Sequence, residues 1–370
     1  MINQGNNNLI VVLGLGPAGL FVARQLYKIN KRVIGIGKSD DIGRYSKCLE
    51  KLYIADDAKD LFTAVQKIII SNTITPQGLI CSDAYLTYII EKYPQIFKML
   101  DFIYPNEQIL ELMYDKQALS DMLKNINVRT PQIFSELHNI VYPVVVKPII
   151  KRRKSPIPKI SFIDNEAQLD SLLIVATEGG LKKEDLIIQQ RITGDNSTEF
   201  GYGGYFEKGT IVNDTAFIQG RQYPQGVSCT AIEIDDPNRL RYFRELTNPI
   251  ISELNYSGFI QFDIKMDSVT KDYYIIDINP RPWGSISIMR PKGRNKNGNI
   301  FIRGEKQGRN ALWHFPLKEI VSFRNKNNIP YSKCRLLASS NTVTLIDLWD
   351  RSDIKPFLMQ PIVMFRKLFG

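Results

Sequence analysis

The apolar and polar positions of the first hundred residues follow the pattern of strands that alternate with helices. A short apolar run at residues 9–13 enters a glycine-rich turn and a helical stretch, and a second apolar run follows at residues 32–36. We predict further strands at residues 67–70 and 78–81. Strands that alternate with helices are typical of a parallel sheet with helices on its faces.

The rest of the chain mixes helices with strands and becomes strand-rich after residue 186. A hairpin is predicted through the turn at residues 207–209. Residues 290–309 are basic and rich in Gly and Asn, which predicts a loop. Helices are predicted at residues 113–123, 166–173 and 237–254. Strands are predicted at residues 142–148, 186–192, 200–206, 210–217, 259–266 and 273–278.

Length, composition and charge narrow the class of protein. A chain of 370 residues is long enough for two or three subdomains with their own cores. No run of about eighteen apolar residues marks a membrane span, and the polar start is not a secretory signal, so we expect a cytoplasmic protein. The formal charge of +10 suits nucleic acid, an anionic membrane face or a phosphate-bearing small substrate.

Cysteine and histidine do not form a recognisable reactive pattern. The four cysteines are far apart and contain no C-x-x-C pair, so they predict neither a zinc site nor a disulfide framework. The two histidines, His138 and His314, do not suggest a metal site or a hydrolase triad.

Three glycines near the start match the G-x-G-x-x-G fingerprint of dinucleotide-binding domains. They lie between a predicted strand and a predicted helix, at Gly14, Gly16 and Gly19. A dinucleotide site also needs an acidic residue at the end of the second strand, to hold the ribose. That place falls at Lys38, and the first acid is Asp40. We therefore expect a structural Rossmann-like domain, with an FAD- or NAD(P)-binding oxidoreductase as the alternative.

Acidic and amide side chains follow two neighbouring predicted strands near residue 270. Asp277 and Asn279 share one face because strand side chains alternate, and antiparallel pairing would bring Asp263 beside them. Two carboxylates and an amide oxygen suit Mg²⁺ that bridges phosphates. Arg281 is in phase with them and is able to reach an anionic oxygen.

These residues carry a resemblance to a known superfamily. Asp263 and the D-x-N-P-R motif at residues 277–281 resemble the metal-binding end of ATP-grasp proteins. The longer stretch at residues 279–285 is similar to a branch of carboxylate–amine ligases related to carbamoyl-phosphate synthase. That family usually has Glu where this chain has Asp277, which shortens the reach but keeps the charge.

The resemblance implies a fold and a division of the chain. The expected fold is α/β and α+β, an ATP-grasp fold behind an N-terminal Rossmann-like (pre-ATP-grasp) domain that holds no cofactor. The expected segments are a Rossmann-like domain at 1–112, a small lid subdomain at 113–187, a C-terminal subdomain with the metal site at 188–290, and a basic segment with a C-terminal tail at 291–370.

The resemblance also implies ligands, ATP with Mg²⁺ or Mn²⁺, and a set of site residues. The expected metal ligands are Asp263, Asp277 and Asn279. The expected nucleotide-binding residues, which include two phosphate lysines, an adenine-pairing hinge and a ribose acid, are Lys116, Lys147, Gln189, Gln190, Arg191, Ile192 and Glu199. The expected catalytic residues are Lys147, Arg221 near the phosphates and Arg281 at the oxyanion of the intermediate.

One departure from the family concerns the flap over the phosphates. The family usually has a glycine-rich flap after the strand-end lysine, whereas residues 151–159 are basic and contain no glycine. Either side-chain cations hold the phosphates, or the segment contacts a large anionic partner, or it is a solvated loop.

The implied activity is ADP-forming ligation of a carboxylate to an amine through an acyl phosphate, on small-molecule substrates that include anionic ones. A degenerate protein that binds nucleotide without turnover stays open. Nucleic acid is disfavoured because no recognised motif accompanies the basic segments. Relatives are often dimers, so we expect a homodimer. The apolar tail at residues 354–369 suits the body of the protein, a partner or an anionic membrane surface.

Overall fold

The N-terminal domain is a five-stranded parallel sheet with helices on both faces. The computed structural model describes residues 8–103, 106–149, 155–158, 160–289, 310–338 and 342–369. The strand order is β3-β2-β1-β4-β5, and every pairing in this sheet is parallel. Its elements are β1 (Leu9–Leu13), α1 (Pro17–Lys28), β2 (Arg32–Gly37), β3 (Lys51–Ile54), α2 (Ala58–Ile70), β4 (Gln77–Ile80), α3 (Asp83–Lys92), α4 (Ile96–Met99) and β5 (Asp101–Phe102).

The strand predicted at residues 67–70 is wrong, because these residues form the last turn of α2. The three consecutive isoleucines favoured a strand, but the burial of the segment follows a helical period. Leu61, Val65 and Ile68 are buried at a spacing of four and three residues, and Ile70 is 85% exposed. The carboxylate of Asp57 caps the helix by accepting the N–H of Asp60.

The glycine turn between β1 and α1 is tightly packed, and its backbone donates a hydrogen bond to the carboxylate of Asp41. Gly14 has φ +99°, and a Cβ built on Gly19 would lie 1.8 Å from the carbonyl oxygen of Gly14. The backbone N–H groups of Leu15 and Lys38 donate to Oδ2 of Asp41, at 3.0 and 2.9 Å. This turn therefore already holds an anionic group of the protein.

The next domain is a small lid with a core of its own. Two helices precede it, α5 (Glu107–Tyr114) and α6 (Lys116–Asn125). Buried side chains from both helices belong to the apolar cluster of the seven-stranded sheet described below, and the apolar cluster of the lid begins at Phe134. The lid contains β6 (Val144–Pro148), β7 (Ser161–Ile163), α7 (Glu166–Glu178) and β8 (Leu186–Gln190), with antiparallel strand order β7-β6-β8.

The third domain is a seven-stranded sheet in the order β13-β12-β9-β10-β11-β14-β15. The predicted hairpin is confirmed as β9 and β10. The elements are β9 (Glu199–Glu207), β10 (Thr210–Gln222), β11 (Ser228–Glu233), α8 (Pro237–Glu253), β12 (Gly258–Met266), β13 (Tyr273–Asn279), β14 (Asn310–His314), α9 (Pro316–Val321), α10 (Tyr331–Leu337), β15 (Thr342–Ile346) and α11 (Lys355–Phe369).

The C-terminal part of the chain is integrated into the body of the protein, in contrast to the separate segment expected at 291–370. Strands β14 and β15 extend the large sheet. Helix α11 packs on the N-terminal domain, where Val363 joins Leu20, Ile42 and Leu348 in an apolar cluster. The predicted basic loop at 290–309 lies outside the described residues. No helix in the described part of the chain is long and apolar enough to cross a bilayer.

Two hydrophobic cores cover the faces of the large sheet. One contains α5, α6 and α8, with Phe243 and Ile250 fully buried. The other is continuous with the N-terminal domain, since Val12 and Val22 pack in one cluster with Trp313 of the large sheet. The N-terminal domain and the large sheet are thus joined by shared apolar packing.

A buried ion pair fixes the C-terminal segment to the N-terminal domain. Nε of Arg24 donates to Oδ2 of Asp353 at 2.9 Å, and these side chains are 7% and 1% exposed. Ser46 donates to the same carboxylate oxygen at 2.7 Å. Nearby, Lys28 pairs with Asp350 at 2.8 Å, but the Lys28 side chain is 50% exposed.

We expect Arg24→Ala to lower the free energy of unfolding by about 3–5 kcal/mol, because it leaves the Asp353 carboxylate buried without its cation. The matched control is Lys28→Ala on the same helix, which removes an exposed pair and costs about 0–1 kcal/mol. Urea denaturation followed by circular dichroism measures both. Equal losses in the two variants would contradict the anchoring role of Arg24.

Candidate active site

A cavity of about 660 Å³ lies where the lid, the large sheet and the N-terminal domain meet. Its wall is mixed, with apolar side chains on one part and charged side chains on another. The apolar part includes Leu119, Leu123, Ile133, Ile157, Ile187 and Ile275. The charged part includes Lys38, Asp83, Lys116, Lys147, Glu199, Asp263 and Asp277.

Two carboxylates face each other on adjacent strands of this wall. Antiparallel pairing of β12 with β13 places Asp263 directly opposite Asp277, and Gln261 directly opposite Asn279. Like charges at opposed positions are unfavourable in a sheet. The amides of Gln219 and Gln261 each donate to Oδ1 of Asp263 at 2.6 Å, which stabilises that carboxylate.

Two lysines from different elements lie beside this carboxylate pair, and one of them binds a carboxylate directly. Nζ of Lys116, at the start of α6, donates to Oδ1 of Asp277 at 3.1 Å. Nζ of Lys147, at the end of β6, donates to the carbonyl oxygen of Ile276 at 3.3 Å. Burial lowers the pKa of Lys147, and the carboxylate of Asp277 opposes that change while the charge of Lys116 adds to it.

The three residues predicted to bind metal lie together on β12 and β13. Nδ2 of Asn279 lies 3.5 Å from Oδ2 of Asp263, so the amide borders the carboxylate pair. Within the described residues, no group of three His, Cys, Asp or Glu side chains forms a metal site. Mg²⁺ commonly uses one or two carboxylates and takes its remaining ligands from phosphates and water. Asp263 and Asp277 fit that kind of site.

Of the four hinge residues predicted to contact adenine, only Gln189 is among the residues that line the cavity. The backbone N–H groups of Gln190 and Arg191 donate to the carbonyl oxygens of Gln132 and Pro143, at 2.8 and 3.2 Å. The remaining hinge residue, Ile192, is buried.

Glu199, the predicted ribose acid, lines the cavity but already has protein partners. Its carboxylate accepts a hydrogen bond from Nε2 of Gln222 at 2.7 Å and pairs with Lys265 at 3.4 Å. Its carboxylate is therefore held by one neutral and one cationic side chain.

The two arginines predicted to be catalytic do not line the cavity. The guanidinium of Arg221 contacts Glu319, and it donates to Ser322 at 2.5 Å and to the carbonyl oxygen of Ile329 at 2.7 Å. These partners belong to the C-terminal segment, so the position differs from the expected one near the phosphates.

Arg281 instead joins the end of β13 to the N-terminal domain. Its guanidinium binds both carboxylate oxygens of Asp83, with Nη2 at 2.6 Å from Oδ2, and lies 3.5 Å from Oδ1 of Asn279. Burial opposes the charge of Arg281, but the carboxylate of Asp83 keeps its pKa above the ordinary value. The arginine is thus a fixed cation that positions Asn279.

Solved structures of several ligases and carboxylases resemble this one in fold. No protein-family model matches the sequence, and no curated protein matches it. The biotin carboxylase domain of 2-oxoglutarate carboxylase from Hydrogenobacter thermophilus, in complex with MgADP, ADP and bicarbonate, is 16% identical with a TM-score of 0.60, over 76% of this chain and 66% of that one. N5-carboxyaminoimidazole synthetase from Staphylococcus aureus, in complex with ADP, is 16% identical with a TM-score of 0.56, over 75% and 71% of the two chains. L-amino acid ligase from Bacillus licheniformis is 14% identical with a TM-score of 0.60, over 80% and 72%.

The chain has an ATP-grasp fold. The resemblance that the sequence carried is therefore confirmed at the level of fold. Residues 151–154 and 159 of the predicted flap at 151–159 lie outside the described part of the chain. Ser155 and Ile157, from the described part of the flap, line the cavity.

The sequence did not indicate several cavity residues of the ATP-grasp fold. Gln219 contacts Asp263 from β10, a strand that carries no motif. Lys38, Ser82 and Asp83 follow the ends of β2 and β4 and line the cavity from the N-terminal domain. Ligands of such sheets bind at the carboxyl ends of the parallel strands. The place of these three residues, just after predicted strands, was therefore the feature of the sequence that could have indicated them.

We expect Arg221→Ala to leave the Kd for Mg-ATP within about twofold, because Arg221 is outside the cavity. It should lower the free energy of unfolding by about 1–3 kcal/mol, since Glu319 loses its cation and keeps the hydrogen bond from the Thr230 hydroxyl. Lys147→Met is the contrasting variant, with Mg-ATP affinity reduced at least about tenfold. Calorimetric titration and urea denaturation measure these quantities. A large loss of affinity in Arg221→Ala would restore its predicted role at the phosphates.

Proposed function

We propose that this protein is an ADP-forming ligase that activates a substrate carboxylate with Mg-ATP and joins it to an amine. The observation that carries the proposal is the opposed pair Asp263 and Asp277 at the wall of one cavity, with Lys116 bound to Asp277 and Lys147 bound to the carbonyl oxygen of the adjacent Ile276. Carboxylates for a metal and lysines for phosphates are the two requirements of phosphoryl transfer.

In the first step a carboxylate oxygen of the substrate attacks the γ-phosphorus of ATP, and ADP leaves as the bond to its β-phosphate oxygen breaks. Magnesium, when bound by Asp263, Asp277 and Asn279, would neutralise charge on the phosphate oxygens. Lys147 and Lys116 hold cationic charge beside the same oxygens and orient them for in-line transfer. The product of this step is an acyl phosphate.

In the second step the amine nitrogen attacks the acyl carbon, the carbon–oxygen bond to phosphate breaks, and inorganic phosphate and a proton are released. We assign Arg281 a positioning role here, in place of the expected oxyanion contact, because its fork is held by Asp83. No side chain of the protein needs to form a covalent bond with the substrate.

The names of the structural neighbours support an ATP-dependent reaction on a carboxylate. One neighbour contains MgADP and bicarbonate, and another is named an L-amino acid ligase. At identities of 14–16% these neighbours share a fold with this chain, and the substrates of this chain are determined by the experiments below.

The alternative of a dinucleotide-dependent oxidoreductase has less support. Asp41 occupies the anion position of the glycine turn, and Lys38 stands where a ribose acid is needed.

A homodimer stays a prediction, as does contact between the tail and an anionic membrane. For that tail, the described contacts are with the N-terminal domain, while Leu358 and Phe365 are 61% and 63% exposed.

We expect Mg-ATP at about a hundred times its Kd to stabilise the protein by about 2.7 kcal/mol, and ATP without Mg²⁺ to do so less. The effect should weaken in Asp277→Ala, which removes one of the opposed carboxylates. Asp272→Ala is the matched control, because Asp272 is an exposed acid just before the same strand. Thermal shift measures all three proteins, with FAD and NADP as comparison ligands. Stabilisation by FAD or NADP alone would overturn the proposal.

Turnover distinguishes a ligase from a degenerate nucleotide-binding protein. Phosphate release is measured over a panel of amino acids and other carboxylates, with hydroxylamine present to trap acyl phosphates as hydroxamates. Mg-ATP binding without phosphate release from any member of the panel would favour the degenerate protein.

A further inference from the structure

The end of the cavity formed by the N-terminal domain contains a buried lysine without an acidic partner. Lys38 follows the last residue of β2, lines the cavity and is 9% exposed. Its ammonium lies 6.0 and 5.3 Å from the ring centroids of Tyr85 and Tyr88. Among the described residues, no carboxylate forms an ion pair with this ammonium. A cation buried at a cavity wall calls for an anion from the ligand.

A helix begins at the same end of the cavity. Helix α3 has ten residues, and Ser82 and Ala84 at its start line the cavity. The hydroxyl of Ser82 makes no capping hydrogen bond to the helix, and the first helical bond is donated by Leu86 to the carbonyl oxygen of Ser82. The N–H groups of a first turn and the helix dipole both favour an anion.

The acidic groups around this point are already engaged by the protein. Asp83 lines the cavity, but Arg281 binds both of its carboxylate oxygens. Asp41 accepts the N–H groups of Leu15 and Lys38. Asp56 accepts the N–H and the hydroxyl of Ser39. The donors to Asp41 and Asp56 are neutral groups, and among the described residues that line this end of the cavity Lys38 is the cation.

The topology of the sheet explains why these groups meet. Lys38 follows β2 and Ser82 follows β4, and these two strands flank β1 on opposite sides. Strands β2 and β3 are thus added on one side of β1, and β4 and β5 on the other. Ligands of such sheets bind at the carboxyl ends of the strands where the side changes. Lys38 is at the position where a dinucleotide-binding domain has an acidic residue for the ribose. The position therefore favours a negatively charged ligand group.

We propose that Lys38, Ser82 and the start of α3 form a subsite for an anionic group of the substrate, a carboxylate or a phosphate that is not the group activated by ATP. The subsite borders the catalytic centre through Arg281, which contacts both Asp83 and Asn279. The proposal rests on the proposed function in taking this cavity as the active site. It names the substrate class as a small molecule with a second anionic group.

The test is a calorimetric titration with probes that differ in charge and in the source of that charge. The carboxylate probes are L-aspartate and L-glutamate, the phosphate probes are O-phospho-L-serine and inorganic phosphate, and the neutral probes are L-alanine and L-serine. Wild type should bind probes of one anionic class more tightly than the neutral probes. Which anionic class binds identifies the source of the charge.

Lys38→Gln should weaken that binding about ten- to hundredfold, because a hydrogen bond to a charged group is lost. Ser82→Ala should weaken it about two- to tenfold while leaving all charges in place. The matched control is Lys51→Gln on β3, since the Lys51 ammonium also lies over a tyrosine ring, 4.9 Å from the centroid of Tyr53, but Lys51 is exposed and does not line the cavity. Its Kd values should equal those of wild type.

Two outcomes would overturn the subsite. One is the same affinity for anionic probes in Lys38→Gln and wild type, and the other is no preference of wild type for anionic over neutral probes. Each titration is run without nucleotide and again with Mg-ADP, and the Mg-ADP affinity is recorded. Loss of probe binding in Lys38→Gln without any affinity for Mg-ADP in wild type would support the subsite and count against the ligase. Mg-ADP binding to wild type, together with unchanged probe binding in Lys38→Gln, would support the ligase and count against the subsite.

Discussion

The pairing of β12 with β13 is the constraint on which the rest of the site depends. It sets Asp263 opposite Asp277, two negative charges at neighbouring positions that repel each other. The cations that offset this repulsion come from elsewhere in the chain, Lys116 from α6 and Lys147 from the lid. Cations from α6 and from the lid therefore meet at one unfavourable pair on the large sheet, which is the arrangement expected where a divalent cation and phosphates bind.

What the sequence predicted well depends on short-range geometry. The alternation of side chains along a strand puts Asp277 and Asn279 on one face whatever the rest of the chain does. A short connection between two strands makes their antiparallel pairing the natural outcome, so Asp263 could be placed beside them. Each of these inferences needs fewer than about twenty residues of context. Lys147 was predicted through the resemblance to ATP-grasp proteins, because a lysine at the end of an apolar strand does not by itself indicate a phosphate site.

What the sequence did not predict depends on contacts between distant residues. Arg281 meets Asp83 from 198 positions away, and Arg221 meets Glu319 from 98 positions away. A motif shows that an arginine is present but not which carboxylate engages it. The same holds for the glycine turn, where the motif was evident but its closure by Asp41 was not. The isoleucines at residues 68–70 joined a helix because the buried face of α2 continues through Ile68.

The division of the apolar cores has a consequence for how the protein moves. The N-terminal domain and the large sheet share one core, whereas the lid packs around a core composed only of its own residues. Separating the first two would expose shared apolar surface, and displacing the lid as a unit would not. We therefore expect ligands to enter and leave the cavity when the lid opens. In hydrogen exchange, the same division places the lid among the units that open at lower free energy than the joined body.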